Sequence, residues 1–135
     1  MQPLKGKNKI IQSNRLFHAG LAVERMKVKV KIWLEEEGQI MGEGLYEILQ
    51  AVERHGSINQ AASELKMSYR QAWGRIKKVE QRLGIPILLT RVGGEFGGGA
   101  QLTKEGRELV KKFAALQKEI QQAADKAFKH YFKEQ

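Results

Sequence analysis

Seven cations and a single acid fall between residues 66 and 91: Lys66, Arg70, Arg75, Lys77, Lys78, Arg82 and Arg91 against Glu80, a local net of +6 over 26 residues. Guanidinium and ammonium groups at that density neutralise phosphates, so they mark a candidate footprint for a nucleic-acid backbone. A solvated helix face is the plain alternative, and charge alone does not choose. Two S-x-x-Q pairs do: Ser57 with Gln60, and Ser68 with Gln71. Each has the form of a capping box, in which the serine oxygen accepts an orphan amide of the first helical turn and the glutamine answers the cap residue's own N–H. Only Lys66-Met67 is left to turn between the two helices. Two capped helices that close together form a helix-turn-helix, whose second member commonly lies in the DNA major groove. The chemistry to expect is recognition of double-stranded DNA.

Catalysis fits poorly. Ser57, Ser63 and Ser68 lack a nucleophile-elbow setting, and no His–carboxylate pair is indicated. His18, His55 and His130 lie far apart with no carboxylate at ligand spacing, and the chain contains no cysteine, so the expectation is no metal, no cofactor and no disulfide. No apolar run approaches a bilayer-spanning length. The 135 residues suffice for one small domain with appendages, expected to be soluble and cytoplasmic with no membrane partner.

The elements that would position the basic face follow from periodicity. Residues 1–25 open with Lys5, Lys7, Lys9 and Arg15 ahead of a short, broken apolar patch, Leu16 to Val23. That is a poor signal peptide. It reads as a disordered basic arm or, if Met26 is the natural initiator, as upstream sequence. From Lys27, the apolar residues Val28, Val30, Ile32 and Leu34 alternate with Lys27, Lys29, Lys31 and Trp33, the two-residue period of a strand. Glu35-Glu36-Glu37-Gly38 is a solvated turn. Leu45, Ile48, Leu49 and Val52 make a helical stripe that stops at Gly56, a residue suited to the left-handed C-terminal cap. This helix braces the helix-turn-helix from behind.

The second motif helix divides into two faces. Ala72, Ile76, Val79 and Leu83 recur at steps of four, three and four, which turns them to the core. At about 100° per residue, Arg70, Gly74, Lys77, Lys78 and Gln81 point outward. Gly74 costs the helix roughly 1 kcal/mol relative to alanine, so its place there calls for a reason. Close approach to DNA is one reason; close packing in a dimer is the other. Tyr69 and Trp73 lie on the margin, and their bulk assigns them to packing ahead of base contact.

Beyond Gly84 the helix ends. Ile85 to Thr90 has strand character, Ala100 to Thr103 returns as a second strand, and five glycines (Gly93, Gly94, Gly97, Gly98, Gly99) crowd the tip between them. It is no Walker loop, since no G-K-[ST] follows. Successive glycine amides such as those of Gly97 and Gly98 are able to line a phosphate; flexible turn geometry is the alternative.

G-S-I-x-x-A-A-x-x-L-x-M-S-Y-x-x-A-W, followed by G-G-x-x-G-G-G-A-x-L-T-x-x-G (Gly93 to Gly106), resembles the N-terminal DNA-binding domain of the molybdate-responsive regulator (ModE) family. More distantly, the helix-turn-helix is similar to that of LysR-type regulators. The resemblance covers about residues 27–130 and is specific, because two separated motifs occur in the right order. It implies a dimeric winged helix that regulates transcription, with Ser68, Tyr69, Arg70 and Gln71 at the start of the recognition helix and Gly93 to Gly99 in the wing. Family members that sense molybdate carry C-terminal oxyanion-binding domains, for which no room is expected after Gln135. The resemblance therefore implies DNA binding without molybdate sensing: a separate sensor subunit, constitutive binding, or a ligand site elsewhere.

Lys104 to Gln135 reads as one long helix. Leu109, Phe113, Leu116, Ile120, Ala123 and Ala127 follow steps of four and three, a short heptad seam. With Val110, Ala124, Phe128 and Tyr131 beside it, the stripe is wider than one partner needs, so part covers the winged helix and part meets a second chain.

The expected fold is mainly α with a small β wing: a basic extension (1–25), a winged helix-turn-helix (26–103) and a long C-terminal helix for dimerisation (104–135). The expected DNA-binding set is Ser57, Ser68, Tyr69, Arg70, Gln71, Gly74, Arg75, Lys77, Lys78, Arg91, Gly97 and Gly98. The rival reading is a winged-helix protein-interaction module that dimerises and does not bind DNA.

Overall fold

The computed structural model describes residues 23–91 and 99–133. Residues 1–22, residues 92–98 with Gly97 and Gly98, and residues 134–135 lie outside the described residues. Two units form, one of residues 31–117 and one that brings 23–30 together with 118–133.

In the larger unit the order is β1 (Trp33–Glu35), β2 (Gln39–Gly42), α1 (Glu43–His55), α2 (Ile58–Glu64), α3 (Tyr69–Leu83), β3 (Leu88–Arg91), β4 (Gly99–Leu102) and the start of α4 (Lys104–Phe128). The architecture is the expected helical one with a small β wing, β3 paired antiparallel to β4. The stripe on α1 is buried in full, Leu45, Ile48, Leu49 and Val52 together. Ala61 and Ala62 of α2, and Ala72, Ile76 and Val79 of α3, close the same core. Both helix stops fall as expected: Gly56 at φ 68° and Gly84 at φ 69° take the left-handed cap, their N–H groups bonding Val52 O and Glu80 O.

The first strand is shorter than its pattern. Alternation of burial runs through Ile32 and Leu34, yet only Trp33–Glu35 is laddered, onto a second strand, β2, that sequence periodicity did not show. Four residues (Gln39-Ile40-Met41-Gly42) are too few to carry a readable period. Upstream, in the smaller unit, the Gln121 side-chain amide stands in for a strand neighbour. Its oxygen accepts from Val30 N at 3.2 Å and its nitrogen donates to Val28 O at 2.7 Å. Val23–Arg25, expected within a disordered arm, form a 3-10 turn with Val23 buried. After Phe128 the last helix widens into a π turn, Lys129–Lys133, rather than continuing as α.

The wing is rooted through Thr103. Its backbone N–H donates to Ile87 O, its hydroxyl donates to Pro86 O at 2.7 Å, and the same oxygen accepts from Gly106 N at 2.9 Å, capping α4. Gly106 lies so close to β3 that a Cβ there would overlap the Ile87 carbonyl oxygen. The T-x-x-G of the sequence is thus a cap and a close approach, one turn apart. Next on α4, Phe113 is 2% exposed, with its ring centroid 5.2 Å from that of Tyr46 on α1. The winged unit therefore includes the first half of α4, where the sequence division was placed at residue 103.

Gly106→Ala should destabilise the protein by about 1–3 kcal/mol through overpacking. Thr103→Ala should cost about the same by losing the cap and orphaning the Pro86 carbonyl. Urea unfolding of each variant checks this; a Gly106→Ala protein as stable as wild type would remove the close approach.

Candidate nucleic-acid interface

The turn between α2 and α3 is built from Leu65, Lys66 and Met67. Lys66 takes the left-handed region, φ 58°, and bonds from Leu65 N to Ala61 O (3.1 Å), Lys66 N to Ser63 O (3.2 Å) and Met67 N to Ala62 O (3.0 Å) close it. At Ser68 the capping box is complete: Ser68 Oγ accepts from Gln71 N and Gln71 Oε1 accepts from Ser68 N, both at 3.0 Å. Ser57 makes half a box. Its Oγ accepts from Gln60 N at 3.2 Å, and the return bond from the Gln60 side chain is not formed.

This pair presents the outer face of α3. Arg70, Gly74, Lys78 and Gln81 are all exposed there. Among the described residues, nothing beyond the backbone of α3 itself would lie within 4 Å of a Cβ on Gly74, so packing among them does not account for that glycine. Tyr69 and Trp73 are 50% and 41% exposed, which corrects their assignment to packing. They follow α3's register onto the flank beside Arg70, where about half of each surface stays open.

Lys77 is less free than its spacing suggests. Its Nζ is 3.0 Å from Glu80 Oε1 and lies 5.4 Å from the centre of the Trp73 ring. Glu80 in turn accepts Ile87 N at 2.7 Å and Leu88 N at 3.0 Å on its second oxygen. Burial pushes the Glu80 carboxyl up, but the Ile87 N–H, Lys77 and the Leu88 N–H outweigh it and hold it below the usual carboxylate range. Arg82, counted with the basic stretch, is a clamp instead. Its guanidinium donates to the carbonyls of Glu36 (2.7 Å), Glu37 (2.8 Å) and Gly38 (3.3 Å), closing the β1–β2 turn.

A family model of bacterial regulatory helix-turn-helix proteins, lysR family, matches residues 44–107. ModE of Azotobacter vinelandii, a molybdenum transport protein, is 38% identical over 89 residues, 66% of this chain and 33% of that protein. The DNA-binding transcriptional dual regulator ModE of Escherichia coli K12 is 38% identical over 79 residues, 58% of this chain and 30% of that one. The chain carries a ModE-like helix-turn-helix domain. The molybdenum-pterin-binding protein MopB of Rhodobacter capsulatus is 37% identical over 84 residues, 62% of this chain and 31% of its own. The chain thus spans about a third of the length of these relatives. Among solved structures, the CbnR DBD–DNA complex superposes with a TM-score of 0.51 at 20% identity, covering 64% of this chain and 94% of that one, which shows the winged-helix fold. The matched family model is one of regulatory proteins.

Within the ModE-like domain, Ser57, Ser68, Tyr69, Arg70, Gln71, Gly74 and Lys78 lie along the α2 and α3 amino ends and the outer face of α3. Arg75 sits apart from them, against Gly44 on α1. Arg91 ends β3 opposite Gly99, its guanidinium folded over that glycine. Sequence reasoning missed Glu80 as the link from α3 to the wing; as the one acid in a basic stretch, it was the visible signal. On α4, Leu109 and Phe113 are withdrawn from the dimer seam, because both pack on the unit's own core. Leu116 is 37% exposed, and Ala123 and Ala127 are exposed.

Because the Glu80 carboxyl is depressed in the folded state, its contribution is present above the ordinary value of 4.5 and lost as pH falls through the folded value. Glu80→Gln should cost about 1–3 kcal/mol at neutral pH, and the gap from wild type should narrow at about pH 3. Urea unfolding at both pH values reads it out; an equal gap at both would remove the charged acceptor.

Proposed function

We propose that this protein is a dimeric transcriptional regulator that binds double-stranded DNA, with α3 in the major groove and the glycine-rich wing on the flanking backbone. The observation that carries the reading is the outer face of α3, where Arg70, Gly74 and Lys78 stand exposed behind the complete Ser68–Gln71 box. The role named for the Escherichia coli relative, DNA-binding regulation, fits that face. Ser57 and Ser68 spend one lone pair each on a backbone amide, and their hydroxyl protons remain for phosphate oxygens. Arg70 is the candidate for a bidentate bond to a guanine edge, and Tyr69 and Gln71 stand beside it. Arg75, Lys77, Lys78 and Arg91 supply backbone charge, with Lys77 weakened by Glu80. Gly97 and Gly98 are the proposed wing amides. A separate sensor subunit is compatible with this role.

Dimerisation is assigned to the later part of α4, through Leu116, Ile120, Ala123 and Ala127. A two-fold dimer would set two copies of α3 on half-sites about 34 Å apart or a multiple of it. Sedimentation should give a dimer at micromolar concentration that Leu116→Ser with Ile120→Ser converts to monomer. A wild-type monomer would contradict the assignment.

Fluorescence anisotropy with duplex DNA at a series of salt concentrations tests the DNA reading. If roughly six phosphates are neutralised, the log–log slope should be near −5. Arg70→Ala should cost about 1–3 kcal/mol and relax preference at one base position. Gly74→Ala should raise folding stability by up to about 1 kcal/mol while weakening DNA binding, because the added methyl occupies the approach. A flat salt response, or Gly74→Ala gaining stability with no loss of binding, would favour a protein-interaction module.

A further inference from the structure

One edge of α3 carries Arg75, Lys78 and Arg82 at spacings of three and four, so all three project to the same side. With Gln39, Gly42 and Gly44, at the end of β2 and the start of α1, they line a cavity of about 270 Å³. No aspartate or glutamate is among the residues lining it. The carbonyls of the β1–β2 turn fix the Arg82 guanidinium without cancelling its charge. Arg75 and Lys78 have no ion-pair or hydrogen-bond partner among the described residues.

The wall opposite them is formed by Gln39, Ile40, Gly42, Gly44 and Leu45, with the Gln39 side-chain amide lying over Gly42. Gly42 caps α1 without any side-chain bond, and a Cβ on Gly44 would stand 2.7 Å from Arg75 Nη1. Any larger residue at Gly44 would therefore push the guanidinium away from the helix start. Three like charges around one void repel each other, and an anion among them reverses the sign of that interaction. A tetrahedral oxyanion matches the arrangement: guanidinium forks and an ammonium from one side, the start of α1 with the Gln39 amide beside it from the other.

We propose that this cavity is a phosphate-binding site, occupied either by a backbone phosphate of DNA or by a free phosphate-bearing ligand. The first source rests on the DNA-binding reading; the site itself does not. It groups Arg75 with Lys78 and Arg82 at the edge of the outer face of α3.

The test is a titration of the ¹⁵N-labelled 135-residue chain with inorganic phosphate, replacing chloride at constant ionic strength and pH, followed at the Gly44 amide. A saturable shift confined to the cavity is expected, with half-saturation at about 10 mM or below. Arg75→Gln with Lys78→Gln should weaken it about tenfold or more, that is by 1.4 kcal/mol or more. Gly44→Ala keeps every charge and a helix-compatible backbone, and should weaken it about fivefold by displacing Arg75 alone. If duplex DNA then displaces phosphate from Gly44, the backbone is the source; if both bind together, a free ligand is. Either result supports the site, and a protein that fails to bind DNA is still read by the phosphate arm. The absence of a saturable shift, or one that Gly44→Ala and the double variant leave unchanged, would overturn the proposal.

Discussion

Glu80 accepts the backbone N–H groups of Ile87 and Leu88 on one oxygen and holds Lys77 with the other, and through these bonds α3 and the wing hairpin become one body. The peptide turn after Gly84 has no helix or ladder partner for those two amides, so a buried acceptor must be supplied from a side chain. A glutamate three-quarters of the way along α3 supplies it. With the amides satisfied, Ile87 and Leu88 bury their side chains in the core, and Ile87 O is free to receive Thr103 N. Thr103 then starts α4, and Gly106 lets that helix lie against β3. Each step of the wing's placement depends on the one before it.

The same economy shows in how charge is used. Of the seven cations between residues 66 and 91, Arg82 is tied to the β1–β2 turn and Lys77 is paired with Glu80, the acid already counted in the local +6, so neither side chain is free to reach outward. The five that remain are sorted by place: Lys66 in the α2–α3 turn, Arg70 on the outer face of α3, Lys78 and Arg75 at the cavity beside the start of α1, Arg91 along the hairpin. Elsewhere Glu64 is held below the usual carboxylate range by hydrogen bonds from His55 and Arg54, tying the end of α1 to the end of α2. That cluster is exposed and contributes little to stability.

Local features were legible in the sequence. Ser68 and Gln71 are three residues apart and cap one turn; Gly56 and Gly84 close helices whose stripes end beside them; Ala72, Ile76 and Val79 keep the helical period. In each case the partner is within a turn, so spacing suffices. Features that join distant residues were not legible. Arg82 meets carbonyls 44 to 46 positions earlier, Thr103 meets Pro86 across the hairpin, and Gln121 reaches Val28 and Val30 over more than 90 positions. Phe113 has a heptad position and a core position at once, and only the presence of Tyr46 beside it decides. Tyr69 and Trp73 show the opposite case: bulk argued for burial, and the chain leaves about half of each exposed.

The central claim is that the outer face of α3 is covered by DNA. The chain contains no cysteine, so a single introduced thiol reports on one place. Alkylation of Gln81→Cys, on the outer face of α3, and of Lys112→Cys, exposed on α4, should be timed with and without duplex DNA. Slowing of about tenfold or more at position 81 with no change at position 112 is the expected result. Unchanged alkylation at position 81 under saturating DNA, or protection at position 112 instead, would place the binding surface elsewhere.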